Sequence, residues 1–87
     1  MTPDDRPTRA LGVEATYVRK SFLLVKDGNV YKLNEVEQLI WKNCTGENSL
    51  ARIAAGISES FDVTAETALA DLTEFLGQLS AAGLVTA

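Results

Sequence analysis

The chain has 87 residues, of which 46% are hydrophobic, and a formal net charge of −4 at pH 7. Its length and composition indicate one small globular domain with a single core. With no histidine and a single cysteine, Cys44, it has no internal disulfide and lacks the usual zinc ligands and the usual general base.

The first twelve residues predict a flexible N-terminal arm, followed by a single domain over residues 13–87. Residues 1–8 contain Pro3, Pro7 and several charges, and they lack the apolar run of a signal peptide. No stretch approaches membrane-spanning length. Cys44 follows Trp41 at helical spacing, which favours a small core residue over a reactive thiol. We therefore expect a cytoplasmic protein that binds no metal, cofactor or membrane.

Three strands are predicted in the first third of the chain. Residues 13–19 alternate loosely between apolar and polar side chains, and residues 22–25 form an apolar run typical of a central strand covered on both faces, or nearly so. Asp27 and Gly28 predict a tight hairpin turn into a third strand over residues 30–33. Successive hairpins place the strands side by side in chain order, so the third strand lies at an edge with unpaired backbone groups.

Three helices are predicted after the sheet. Asn34 caps the first, with Glu37 completing a capping box, and Gly46 closes it. Ser49 and Thr64 cap the second and third helices. Three strands followed by three helices, the last two joined by a short turn, predict an α+β domain of winged helix-turn-helix type.

Small residues within the helices allow more than one interpretation. Gly56 costs roughly 1 kcal/mol against alanine in the second helix, which suggests close packing there. The third helix has one face of small uncharged side chains, which is either exposed to solvent or a surface for another chain. The members of this face are Ala70, Thr73, Gly77, Ser80 and Ala81.

Five motifs between residues 13 and 85 resemble those of a known family. They are Val30-Tyr31-Lys32-Leu33-Asn34-Glu35, Leu39-Ile40-Trp41, Cys44-Thr45-Gly46, Ser49-Leu50 with Ile53, and the end of a Leu-rich last helix, Ala82-Gly83-Leu84-Val85. This pattern is similar to that of the PqqD-like family, the recognition elements of ribosomally made, modified peptides. The free-standing length resembles the leader-binding proteins of lasso-peptide pathways or the carrier-binding protein of pyrroloquinoline-quinone synthesis.

The resemblance implies a winged helix-turn-helix that binds the leader of a precursor peptide. In the family, the leader is added as an antiparallel strand beside the third strand, in a cleft whose other wall is the third helix. An open sheet edge is physically suited to this mode, since main-chain bonds give affinity and side-chain pockets give specificity. The resemblance implies that the leader-binding residues are Asn29, Val30, Tyr31, Lys32 and Leu33 from the strand, and Ala68, Asp71, Leu72 and Phe75 from the helix.

Some of these side chains also have a purely structural interpretation. Leu72 and Phe75 fit a plain core, Tyr31 fits a packed strand residue, and Lys32 fits a charge that protects the edge against aggregation. For each of them, both interpretations remain open.

The sequence predicts a non-catalytic protein that delivers the precursor to a leader peptidase or another tailoring enzyme, with a lasso-peptide pathway favoured. One alternative is a winged-helix DNA-binding regulator, but no Lys or Arg follows Arg52 to neutralise phosphates. Another is an adaptor or dimerisation module that uses the last helix. We therefore expect no nucleic acid among the partners.

Overall fold

The computed structural model describes all residues from 1 to 87. Strands β2 (Glu14–Val18), β3 (Ser21–Lys26) and β4 (Asn29–Leu33) form an antiparallel sheet in that order, and β1 (Thr8–Arg9) pairs with β5 (Val85–Thr86) in a separate two-stranded ribbon. The predicted α+β architecture, a three-stranded antiparallel sheet followed by three helices, is confirmed. None of these helices combines the length and apolar character needed to cross a membrane. The elements are β1 (Thr8–Arg9), β2 (Glu14–Val18), β3 (Ser21–Lys26), β4 (Asn29–Leu33), α1 (Glu35–Asn43), α2 (Leu50–Phe61), α3 (Ala65–Ala81) and β5 (Val85–Thr86).

The turn between β3 and β4 sets the register of the sheet's last strand. Asp27 and Gly28 have φ angles of 50° and 79°, and a type I′ hairpin turn requires positive values at both central positions. Lys26 and Asn29 close the hairpin, and the pairing continues to Phe22 opposite Leu33. The turn predicted from the Asp-Gly pair is therefore present.

One face of the sheet carries the core. Phe22, Leu24 and Leu33 are buried, whereas Leu23 and Val25 point to the opposite face and are only partly buried. The apolar run in β3 had favoured a strand covered on both faces, or nearly so. The difference arises because the helices pack on one face alone, so the other face remains partly open to water.

The helices begin where the capping residues predict. Asn34 Oδ1 accepts a hydrogen bond from the Glu37 amide, and Glu37 Oε1 accepts one from the Asn34 amide, both at 2.8 Å. The side chains of Ser49 and Thr64 cap α2 and α3 by accepting hydrogen bonds from the amides of Arg52 and Thr67. Helix α1 ends at Asn43, before the predicted Gly46, which lies in the following loop with φ of 83°.

Helices α1, α2 and α3 enclose the core together with the sheet. Leu72 and Leu76 of α3 are fully buried, and so is Leu84, which folds back onto the core after α3 as predicted. A Cβ atom placed on Gly56 would have no non-hydrogen atom within 4 Å. The close packing suggested at Gly56 is therefore wrong, because this position of α2 faces open space.

The N-terminal segment is attached to the domain at several points. The amides of Leu50 and Ala51 donate to the carbonyls of Asp5 and Pro3, both at 3.0 Å, and the Arg9 amide donates to a loop carbonyl. Pro7 is buried, and the Arg9 guanidinium lies 6.0 Å from the centroid of the Trp41 ring. The mobility of residues 1–12 and the boundary at residue 13 stay predictions, but the segment is hydrogen-bonded to the domain.

Candidate peptide-binding cleft

Strand β4 leaves one edge of the sheet unpaired. The two residues that close a two-residue hairpin exchange both of their backbone hydrogen bonds. Farther along the strands, hydrogen-bonded pairs alternate with pairs that are not hydrogen-bonded to each other. From the Lys26–Asn29 pair, the backbone groups of Asn29, Tyr31 and Leu33 face β3. The β2–β3 hairpin, closed by Val18 and Ser21, gives the same alternation along β3. The N–H and C=O groups of Val30 and Lys32 therefore point away from the sheet.

The capping box limits the length of this free edge. The next amide in the series after Val30 and Lys32 belongs to Asn34. Its hydrogen is already bonded to Glu37 Oε1 at 2.8 Å. The edge thus offers the backbone groups of two residues, and it ends where α1 begins.

A pocket of about 290 Å³ lies between this edge and α3. Tyr31 and Leu33 reach it from the core face of β4, and Phe75 reaches it from the helix. We call it the strand-side pocket. It is lined by Tyr31, Lys32, Leu33, Glu37, Phe75, Gln78, Leu79, Ala82 and Leu84.

A second pocket of about 310 Å³ lies where the start of α1 meets the end of α2 and the first half of α3. We call it the helix-side pocket. Glu37 and Phe75 line both pockets, so the two pockets adjoin at these side chains, and we refer to them together as the cleft. The helix-side pocket is lined by Asn34, Val36, Glu37, Ile40, Ile57, Phe61, Val63, Ala68, Asp71, Leu72 and Phe75.

Only one of the two open sheet edges borders a pocket. Strand β2 forms the opposite edge of the sheet and is exposed at all of its residues, Glu14–Val18. No pocket of the molecule is lined by a residue of β2. An extended chain that adds to β4 meets both free backbone groups and side-chain pockets, whereas one that adds to β2 meets backbone groups alone.

The structure brings together seven of the nine residues that the family resemblance implied as leader-binding. Tyr31, Lys32 and Leu33 line the strand-side pocket, Ala68, Asp71 and Leu72 line the helix-side pocket, and Phe75 lines both. The other two lie elsewhere. Val30 contributes a free backbone edge, but its side chain is on the opposite face of the sheet and 60% exposed. Asn29 closes the hairpin with its backbone turned towards β3 and lines neither pocket.

The sequence assignment missed several residues of the cleft. Gln78, Leu79 and Ala82 follow Phe75 at three-, four- and seven-residue steps, so helical spacing from Phe75 places them on the same face of α3. Glu37 was recognised only as part of the capping box. Glu37 also lies between the two pockets, and that placement depends on how α1 packs against α3.

The two pockets differ in charge. Lys32 and Glu37 of the strand-side pocket have opposite charges. The helix-side pocket has the two carboxylates of Glu37 and Asp71, and no Lys or Arg lines it. The cleft therefore becomes more acidic from the strand edge towards the start of α3.

Two solved structures share this fold across most of their length. One is a lasso peptide synthetase B1 complexed with the leader peptide, which matches with a TM-score of 0.83 at 17% identity, covering 94% of this chain and 99% of that chain. The other is TbiB1 in complex with the TbiA(beta) leader peptide, which matches with a TM-score of 0.79 at 21% identity, covering 90% of this chain and 93% of that chain. At these identities, the matches show a common fold.

No curated protein sequence matches the chain. The family model for coenzyme PQQ synthesis protein D (PqqD), in contrast, matches residues 15–85, which include the whole sheet from Ala15 onwards, all three helices and the whole cleft. The chain therefore belongs to the PqqD family.

Proposed function

We propose that this protein binds the leader segment of a ribosomally made precursor peptide and delivers the precursor to a leader peptidase or another tailoring enzyme. The leader adds to β4 as an antiparallel strand, and its side chains enter the cleft beside α3. The observation that carries this proposal is the unpaired backbone of Val30 and Lys32 next to that cleft. The two similar structures were solved with leader peptides bound, which supports a leader as ligand and favours a lasso-peptide pathway.

The free edge alone is too short to hold a peptide tightly. Val30 and Lys32 offer two backbone groups each, and a hydrogen bond nets about 0.5–1.5 kcal/mol. Ordering each peptide residue costs about 1–2 kcal/mol of backbone entropy, which offsets most of that gain. An apolar side chain that becomes fully buried contributes about 1.5–3 kcal/mol. Apolar anchors in the cleft therefore supply most of the net affinity, and the edge supplies register.

We propose a binding role without catalysis. Of the polar side chains in the strand-side pocket, Glu37 is bonded to the Asn34 amide, Tyr31 and Lys32 come from β4, and Gln78 comes from α3. The cleft has the features of peptide recognition, namely apolar pockets next to an open backbone edge.

Neither alternative function has support from a specific observation. DNA binding by α3 is disfavoured by its exposed acidic residues, Glu66, Asp71 and Glu74, and by the absence of Lys or Arg after Arg52. An added Cβ at Gly77 would meet no atom of this chain within 4 Å, which is expected both for a solvent-exposed face of α3 and for one that another chain covers, so it does not favour a packing role.

Amide exchange of the free edge tests the proposed binding mode. Peptides of 15 residues selected from a phage-displayed library on the full-length protein serve as probes. Bound peptide should slow hydrogen exchange at the Val30 and Lys32 amides and leave the Tyr31 amide, already paired with β3, nearly unchanged. Binding that leaves the Val30 and Lys32 amides exchanging as in the free protein would contradict strand addition. A candidate peptidase should also cleave its precursor faster with this protein than with a Lys32→Pro variant.

A further inference from the structure

Strand β2 leaves a second backbone edge of the sheet unpaired, on the side opposite to β4. Val18 and Ser21 close the β2–β3 hairpin, and residues of β2 that are hydrogen-bonded to β3 recur at every second position from there. The N–H and C=O groups of Ala15 and Tyr17 therefore point away from the sheet. None of the backbone hydrogen bonds outside the strands and helices involves either residue. The edge thus offers two donors and two acceptors.

This edge lacks the features that usually protect an open strand. Protected edges carry lysine, proline or a β-bulge. The five residues of β2, Glu14–Val18, include no Lys or Pro and pair with β3 without a bulge. All five are exposed, because the N-terminal segment pairs with β5 and with the loop after α1 instead. The edge is therefore open to a strand from another molecule.

The edge is complementary to a second copy of itself. In an antiparallel pair of two β2 strands, hydrogen bonds form where the outward groups of both strands meet. A register with Thr16 opposite Thr16 of the second copy places each Ala15 opposite a Tyr17, and four backbone bonds form. A shift of two residues in either direction leaves one hydrogen-bonded pair, and hence two bonds, within the strands, because Val13 and Arg19 lie outside β2. A two-fold dimer therefore favours the register centred on Thr16.

The charges agree with this register. Glu14 lies opposite Val18 of the second copy, so it comes next to the turn that follows the second copy's β2. That turn contains Arg19 and Lys20. The one acidic residue of β2 thus meets a basic turn, once at each end of the paired strands, and opposite charges on neighbouring strands stabilise their pairing.

The core face of β2 presents a rigid aromatic contact. The Tyr17 side chain is 59% exposed, but its ring packs edge-to-face on Phe22 with the centroids 5.0 Å apart. Its hydroxyl donates to Gln38 Oε1 at 3.0 Å. In the register centred on Thr16, this ring lies beside Ala15 of the second copy, whose small side chain leaves room for it. The ring is already held in place, so pairing costs little side-chain entropy.

We infer that this protein forms a weak two-fold dimer by antiparallel pairing of β2 with β2 of a second copy. The two sheets then join into one six-stranded sheet, and the two-fold symmetry closes the assembly. Five paired residues on each side form a small interface, which is typical of dissociation constants in the micromolar to millimolar range. The unpaired edges of β4 remain at the two ends of the sheet, so each dimer presents two clefts. This inference does not depend on the proposed function.

Sedimentation velocity of the full-length protein tests the dimer. The runs use about 0.15 M salt, which screens the net charge of −4 on each copy. The fraction of dimer should rise between about 10 µM and about 1 mM protein. The Ala15→Pro variant loses one outward N–H in each copy, and two missing bonds should raise the dissociation constant of the dimer about five- to 150-fold. Lys32→Pro is the matched control, since it removes an outward N–H from the opposite edge and should leave dimerisation within about twofold of the wild type.

An engineered disulfide tests the register. Residues directly opposite in a non-hydrogen-bonded antiparallel pair have Cα atoms about 4.5 Å apart, which lies within the disulfide range of about 4.4–6.8 Å. The Thr16→Cys variant should therefore form a covalent dimer on mild oxidation, and the native Cys44 is buried and does not compete. Glu14→Cys is the control: it is equally exposed, but the two substituted residues would lie four positions apart along the strands, about 13 Å, and should stay unlinked.

Each result has a distinct meaning. Wild-type protein that stays monomeric at about 1 mM would overturn the inference. So would a dimer that Ala15→Pro leaves intact, or one in which Glu14→Cys crosslinks as readily as Thr16→Cys. If circular dichroism shows that Ala15→Pro is unfolded, Thr16→Cys decides the question, because it leaves the backbone groups in place. Peptide binding is measured on the same variants: a dimer that forms in a protein without affinity for peptides would refute the proposed function and leave this inference standing.

Discussion

Proline substitutions along β4 distinguish the free backbone edge from the paired one. Proline removes the backbone N–H, and at an edge strand it is tolerated where that N–H faces solvent. At Lys32 the missing N–H is one that points away from the sheet, whereas at Tyr31 it is one directed to Leu24 of β3. The two substitutions are adjacent in sequence and each removes one backbone N–H, but they should affect different equilibria.

The expected magnitudes follow from the hydrogen bond lost in each case. In the Lys32→Pro variant, a bound leader keeps a carbonyl without a partner, which costs about 1–3 kcal/mol, or about five- to 150-fold in affinity. The free protein loses only a bond to water, so its free energy of unfolding should change by less than about 1 kcal/mol. In the Tyr31→Pro variant, a carbonyl of the fully buried Leu24 loses its donor, and the free energy of unfolding should fall by about 1–3 kcal/mol or more.

Urea denaturation and isothermal titration with a library-selected peptide measure the two effects. The Lys32→Ala variant is the control for the side chain, because it removes the ammonium group and keeps the amide; it should bind within about threefold of the wild type. Our reasoning would be refuted by a folded Lys32→Pro variant that binds peptide like the wild type. It would be equally refuted by a Tyr31→Pro variant that keeps wild-type stability, since that would reverse the assigned directions of the backbone groups.

Other predictions concern stability and reactivity. Gly56→Ala should raise the free energy of unfolding by about 0.5–1 kcal/mol, measured by urea denaturation, because α2 gains helix propensity and the added methyl meets no atom within 4 Å. Gly46→Ala should lower it in the same assay, because Gly46 has φ of 83° and an added Cβ would lie 2.8 Å from Thr8 Oγ1. Burial raises the pKa of the Cys44 thiol to about 11, against an opposing effect of Arg9. The native protein should therefore react slowly with iodoacetamide at pH 8 and faster as the pH approaches 11. Rapid reaction of the folded protein at pH 8 would contradict this prediction. Deleting residues 1–10 should speed amide exchange at Leu50 and Ala51, which lose their carbonyl partners; unchanged exchange would show that the segment is detached in solution.

The features that could be predicted from the sequence are those encoded within a few residues. Asp27-Gly28 defines a turn by its own backbone preferences, and Asn34 and Glu37 cap a helix through contacts across three residues. Each depends only on residues within a few positions of one another, so its pattern can be recognised in the sequence without knowledge of the fold. The predicted sheet, the three helices and the open edge of β4 all follow from such local features.

The β1–β5 ribbon could not be predicted in this way. Its strands have two residues each, Thr8–Arg9 and Val85–Thr86, and they come from opposite ends of the chain. Two residues are too few to show an alternating pattern. The ribbon depends on Leu84 folding back onto the core, which brings the C-terminal residues beside the N-terminal segment. A tertiary arrangement therefore creates this element, and composition alone had suggested a free arm.

The sequence also left the direction of each backbone group in β4 undetermined. Tyr31 is the most distinctive residue of the strand, but its N–H and C=O face β3, and the plainer neighbours Val30 and Lys32 carry the free groups. This assignment depends on which residues close the hairpin, and a shift by one position reverses every direction in the strand. The predicted strand begins at Val30, and the structure extends it back to Asn29, opposite Lys26, which establishes the closing pair.

Asn34 connects the architecture of the domain to its proposed selectivity. As the cap of α1, its side chain accepts from the Glu37 amide, and in return its own amide is held by the Glu37 carboxylate. The Asn34 amide, which would come next after those of Val30 and Lys32, is therefore already bonded, and the proposed strand pairing with a leader is confined to Val30 and Lys32. A pairing of two residues is too weak to select one peptide among many, since every peptide has the same backbone. Selection is therefore transferred to the side-chain pockets on both sides of Glu37, and the residue that begins the first helix also determines where backbone recognition ends.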